Sequence, residues 1–200
     1  MDPTEDPQVV VDSIFDQFVT RCVPRWDNTP EHGMYYWGTA PGGFTTDSLL
    51  EDEDKSGKCG AWARFFRDCI KTQGISGAIM LGYERPMLGF NFDLGFDTKA
   101  APSAADPQSG LLWVKPGIQA QDNQTPKRDF SDGHGMTEYV SKLYDPSYGK
   151  IYTGADRDAR KLDWVVKSVE KVDWLFGNKR GGVSTGQKAA DSISLNVEEP

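Results

Sequence analysis

The chain has 200 residues, a formal net charge of −8 and an aromatic content of 12%, six tryptophans included. That length and aromatic content suit one packed domain and exclude a disordered chain. An acidic balance with no basic cluster argues against nucleic acid as a partner, and no apolar run approaches the roughly 20 residues that span a bilayer.

The start, "MDPTEDPQVV", is acidic and does not read as a secretory signal. Asp6-Pro7 reads as an N-cap followed by a proline at the first helical position. Val10, Ile14 and Phe18 then recur four residues apart, with Val11, Phe15 and Cys22 beside them. This spacing predicts a helix stopped by Pro24, with Cys22 near its apolar stripe and in the core. Residues 25–50 are irregular and rich in Gly, Pro and aromatics. In "DKSGKCGAWARFFRDCIKTQGI", residues 54–75, the side chains of Trp62, Phe65, Phe66, Cys69 and Ile70 fall on one helical face. Ser56 and Gly57 supply start signals and Gly74 a left-handed cap. Cys69 then points into the core, while Cys59 stands in the first turn.

"ISGAIMLGYE" reads as a buried strand. Residues 84–129 are taken as a long, partly ordered insertion holding one strand, "LLWVK". "HGMTEYVSKLYDPSYGKIY" is strand-like and broken by a turn. "KLDWVVKSVEKVDWLF" fits a helix through Leu162, Val165, Val166, Val169 and Val172, yet its β-branched content and repeated Asp-Trp fit strands; both readings stay open. From Gly177 the chain turns polar. The expected organisation is a single domain over 1–176, with the insertion at about 84–129, and a polar tail or linker over 177–200.

Three cysteines without repeating spacing are no disulfide framework. Two histidines outside any ligand spacing predict no structural zinc. What remains is the position of Cys59. A thiol attacks as its thiolate; a helix N-terminus and a neighbouring imidazolium bring its pKa from about 8.5 to roughly 3.5–7.5. The first turn also holds unpaired N–H groups that can bind an oxyanion. Gly57 and Gly60 leave room for close approach.

Such a nucleophile needs a base. His32, in "NTPEHGMYYWG", has no acidic partner at strand spacing and reads as a loop residue. His134 opens a strand-like segment eleven residues before Asp145. A two-residue turn at Val140-Ser141 would pair Met136 with Asp145 and make His134 its diagonal neighbour on the same face. A turn at Ser141-Lys142 would keep the faces but move Asp145 farther off.

These residues carry a resemblance. "GKCGAWARFFRDCIKTQGI" resembles the nucleophile helix of the transglutaminase-like superfamily, and "FSDGHGMTEYVSKLYDPSYG" resembles its His and Asp strands, in which Asp-Pro closes the second. The matched positions are Cys59, His134 and Asp145, in the family's chain order, across roughly residues 50 to 150. The resemblance implies an α+β, papain-like fold with the nucleophile helix packed on an antiparallel β-sheet. It implies acyl transfer through a thioester on a protein or peptide amide. No cofactor or metal is expected. Many members carry His-x-Trp where this chain has Met136. Trp37 and Trp62 are the leading candidate substrate walls, and Tyr35, Tyr36 and Trp113 are further candidates. Water as acceptor would give deamidation or hydrolysis, an amine a cross-link; both stay open. So do a catalytically inactive binding module of the same fold and a toxin or effector domain. A reduced thiol fits a cytoplasmic setting, with a secreted or effector protein as the other reading.

Overall fold

The computed structural model describes residues 6–24, 33–36, 45–51, 56–84, 108–123, 129–130, 134–176, 179–191 and 193–198. Asp6 caps helix α1 (Pro7–Val19) by accepting the Gln8 N–H at 2.9 Å, and proline fills its first turn. The helix ends at Val19, and Arg21 turns the chain with φ +57. Cys22 therefore falls beyond the apolar stripe and is exposed, which corrects its expected core position.

A short strand β1 (Tyr35–Tyr36) pairs in parallel with β2 (Ser56–Gly57), which follows helix α2 (Thr46–Glu51). Ser56 and Gly57, expected to begin the next helix, belong to that strand instead. Lys58 is the N-cap of α3 (Cys59–Thr72), and Cys59 is its first residue. Gly74 ends it as expected, with φ +76 and its N–H on the Lys71 carbonyl at 2.9 Å. Trp62, Phe66 and Ile70 are buried; Phe65 and Cys69 lie at the margin and are only half-buried, so Cys69 is not a core residue.

The remaining elements are β3 (Ile79–Glu84), β4 (Gln108–Val114), β5 (Asp129–Phe130), β6 (His134–Tyr139), β7 (Lys142–Asp145), β8 (Lys150–Thr153), α4 (Arg157–Ser168), β9 (Val169–Phe176), β10 (Lys179–Ser184), α5 (Gly186–Asp191) and β11 (Ser194–Glu198). The stretch that fitted both helix and strand is both in succession. Asp156 accepts the Ala159 N–H at 2.8 Å to start α4, and the chain after Ser168 continues as β9.

The main sheet is antiparallel throughout, in the order β11-β3-β6-β7-β8. A second antiparallel sheet runs β10-β9-β4-β5. With its helices, the molecule is of the α+β class. One sequence expectation needs correction. Within residues 177–200, expected as a tail, β10 pairs with β9 and β11 forms an edge of the main sheet against β3. Polar composition misled there because backbone pairing at a sheet edge does not need apolar side chains. The strand expected at "LLWVK" is found in β4, which ends at Val114 and joins β9.

Strand β6 is buried on both faces. Thr137 donates to the Ala63 carbonyl at 2.7 Å, so the odd-numbered face meets α3. Glu138 receives Arg157 (2.8 Å) and Arg160 (2.6 Å), so the even-numbered face meets α4. Glu138 and Arg160 are buried and Arg157 lies at the surface; burial raises the Glu138 pKa, but the two guanidinium groups outweigh it and hold it low. On the α3 side, Phe15 and Phe18 of α1 meet Phe66 edge-on at 5.1 and 5.2 Å, and Phe15 meets Tyr144 at 5.0 Å. Each such pair adds about 0.5–1.5 kcal/mol beyond its area burial. Among the described residues no helix is long and apolar enough to cross a membrane.

Candidate active site

The hairpin β6–β7 places the first two candidate residues. Tyr139 pairs with Lys142, so the turn is the two-residue Val140-Ser141 link and the register carries Asp145 opposite Met136. His134 and Asp145 share the face toward α4, and the diagonal is short enough for contact. The His134 Nε2 lies 2.8 Å from Asp145 Oδ2, with both side chains fully buried. Asp145 is itself held: Oδ1 accepts the Tyr148 N–H at 3.3 Å, and Oδ2 faces the Tyr152 hydroxyl at 3.5 Å. Tyr152 in turn shares a 2.7 Å hydrogen bond with Ser168 at the end of α4.

Cys59 reaches the same imidazole from the other side of the strand. A Cβ on Gly135 would lie 3.1 Å from Gly60 Cα and 3.3 Å from the Cys59 carbonyl carbon. The absence of a side chain at 135 thus lets the mouth of α3 close on β6. With Nε2 committed to Asp145, Nδ1 is the ring nitrogen left for the thiol. Behind Cys59, Gly57 packs on α2; a Cβ there would meet Leu49 Cδ1 at 2.7 Å.

The electrostatics follow from these contacts. Burial alone pushes the His134 pKa down, but the Asp145 charge and hydrogen bond, joined by Cys59, raise it to about 10. Burial likewise pushes the Cys59 thiol up; the hydrogen bond and charge of His134, then the Gly135 N–H, outweigh it and bring the thiol below its ordinary value. The two shifts describe one event, transfer of the proton from sulfur to the ring. The helix adds to it: no side chain caps the start of α3, and first-turn N–H groups carry the positive end of the macrodipole.

Aromatic rings enclose the pair. Trp164 of α4 stacks on His134 with centroids 6.0 Å apart and planes 16° apart, and the Tyr148 ring centroid lies 5.4 Å from that of His134, tilted by 42°. Tyr83 backs Trp164 at 4.9 Å. Tyr36 is fully buried, its ring 5.3 Å from Tyr148, and both phenols are pushed well up by burial and stay protonated.

The structure therefore brings Cys59, His134 and Asp145 together. Trp62, expected as a substrate wall, is fully buried against Phe18 and Phe65, a core position that offers a substrate no surface. Trp37 and His32 lie outside the described residues. Trp113 is half-buried under the Lys171 ammonium, 5.0 Å from its ring centroid. Sequence reasoning missed Trp164, Tyr148 and Tyr152. Tyr148 had a signal, since an Asp that opens a turn often accepts a nearby backbone N–H; Trp164 had none, because its stretch fitted two periods. Among the described residues no group of three or more His, Cys, Asp or Glu could hold a metal.

Comparison with known proteins finds no matching family model, no matching curated protein and no matching solved structure.

Proposed function

We propose that the chain is a transglutaminase-like cysteine acyltransferase or amidohydrolase, with a papain-like core and the triad Cys59, His134 and Asp145. The observation that carries this reading is the buried 2.8 Å His134–Asp145 contact with Cys59 against the same ring at a helix start. A carboxylate behind an imidazole fixes its orientation and favours its charged form, as a nucleophile of this kind requires.

The Cys59 thiolate attacks a substrate amide carbonyl, and the carbonyl π electrons move to oxygen. First-turn N–H groups of α3 stabilise that oxyanion. As the C–N bond breaks, His134 gives its proton to the departing amine or ammonia and a thioester remains on Cys59. Neutral His134 then takes a proton from the acceptor, water or an amine, as it attacks the thioester. Collapse of the second tetrahedral intermediate re-forms the carbonyl, breaks the C–S bond and leaves the Cys59 thiolate beside the imidazolium, as at the start. Water yields an acid, an amine a new amide.

The test is incubation of the chain with a glutamine-bearing protein and a labelled primary amine, beside Cys59→Ala. Label incorporation or ammonia release that vanishes in the variant supports the reading. Turnover that survives in the variant removes Cys59 from the mechanism. No turnover, with Cys59 no more reactive than Cys22 and Cys69, supports an inactive binding module instead.

A further inference from the structure

The segment that leaves β4 carries a residue with a buried, specific set of partners. Gln121 is fully buried. Its Nε2 donates to the Phe18 carbonyl at 2.9 Å and to the Pro146 carbonyl at 2.6 Å. Its backbone N–H donates to Ser147 at 3.0 Å, and its carbonyl accepts the Tyr36 N–H at 2.9 Å. Two residues on, Asn123 Nδ2 donates to the Tyr36 carbonyl at 3.0 Å. The loop is closed by paired bonds between Ala120 and Asn123, at 2.9 and 3.1 Å, and by Asp122 N–H on the Arg21 carbonyl at 2.7 Å.

These partners belong to the two halves of the candidate site. Pro146 and Ser147 follow Asp145 directly, in the turn whose Tyr148 N–H holds the Asp145 carboxylate. Tyr36 pairs with Gly57, two residues before Cys59. The side chain thus ties the acid's turn to the end of α1, whose Phe18 packs on Trp62 and Phe66 of α3. The backbone ties the same turn to β1, the partner of the strand that leads into the nucleophile. The amide oxygen Oε1 is buried with no partner among the described residues. An unsatisfied buried acceptor is destabilising, so what the position uses is the N–H₂ donor.

We propose that Gln121 is a positioning residue for the acyl-transfer site, setting the separation between the Asp145 turn and the segment that presents Cys59. The inference rests on the triad reading given above. A displacement of about 1 Å at a reacting centre is enough to slow it by up to about a hundredfold, so a bridge of this kind acts on rate without touching substrate.

The test uses the whole chain in three forms: native, Gln121→Met, which keeps the shape and removes the donor, and Gln121→Asn, which keeps a donor on a shorter stem. Iodoacetamide labelling of Cys59 is followed by peptide mass spectrometry across pH, with thermal melts alongside. Gln121→Met is expected to slow Cys59 about tenfold at neutral pH and to move the acid limb of its rate profile upward, with Gln121→Asn between. An unchanged rate and unchanged limb in Gln121→Met, whatever its melting temperature, leave Gln121 a structural brace only and overturn the proposal. If Gln121→Met does not fold, Gln121→Asn decides, and native rate and limbs there overturn it equally. Native Cys59 reacting no faster than Cys22 and Cys69 would instead remove the acyl-transfer reading and this inference with it. A selective native Cys59 with unaffected variants removes the inference alone.

Discussion

Helix α3 carries two thiols with opposite fates. Cys59 opens it and Cys69 stands in its last turns, and burial pushes both pKa values up. At Cys69 burial and the Asp68 carboxylate act together and outweigh a backbone hydrogen bond, so the thiol rises to about 11. At Cys59 the ring of His134 reverses the sign. The dipole runs the same way, favouring an anion at the first turn and opposing one at the last. Two cysteines of one helix thus teach that hiding a thiol does not make it reactive. A charged neighbour at the right end does.

The sharpest way to break the contrast is to remove the sulfur. Cys59→Ala is expected to abolish acyl transfer, while Cys69→Ala leaves the rate within about twofold, checked by amine incorporation or ammonia release. Next comes the base. His134→Gln takes away both the charge and the hydrogen bond, so burial alone then sets the Cys59 pKa and raises it. Labelling at neutral pH should fall by about 10²–10⁴-fold, toward the rate of Cys69.

Asp145→Asn acts one step farther back. The carboxylate is what raises His134 against burial, so its loss lowers the His134 pKa and brings the alkaline limb of activity down from about 10. The sign for stability follows as well. A group whose pKa is raised on folding contributes fully below its unfolded value and loses that contribution as pH climbs through the folded one. Cys59, lowered on folding, titrates in the opposite sense, so the His134 contribution is read in Cys59→Ala. Urea titrations should show that variant losing stability as pH climbs above about 6.5, and Cys59→Ala/His134→Gln lacking that loss.

Trp164→Leu removes the face stacked on the imidazolium, an interaction of about 0.5–2 kcal/mol. The expected result is a rate decrease of a few-fold to about thirtyfold, with the acid limb moved up and Cys69 unaffected. The smallest effect concerns the turn joining His134 to Asp145. Val140 holds φ +51, a left-handed conformation that a β-branched residue adopts under strain, and it is largely exposed. Val140→Gly should stabilise the fold by about 0.5–1 kcal/mol in denaturant titration and leave the two thiols as they were.

Much of this contrast was legible in the residues. Asp6-Pro7, the spacing of Trp62, Phe66 and Ile70, and Gly74 each dictate local backbone, and local physics decided them. The His134–Asp145 face followed from strand parity, and only the turn position had to be supplied by the fold. What was hidden depends on contacts between distant segments. Trp164 reaches His134 because Glu138 anchors Arg157 and Arg160 of α4, a pairing that no periodicity encodes. The 177–200 stretch was misread because its strands pair through backbone groups, which polar side chains do not advertise. Cys22 was misplaced by a helix that stopped one turn short of the residue, and Gln121 sat in a segment whose polarity looked like that of a surface loop.

The most direct test of a thiolate–imidazolium pair at Cys59 is the pH dependence of its iodoacetamide labelling, read beside Cys69 in one sample. Cys59 should react along a limb below the ordinary thiol range, with a second inflection near 10 as His134 loses its proton, while Cys69 accelerates only toward about 11. A single Cys59 titration at or above the ordinary thiol value, parallel to that of Cys69, would contradict it.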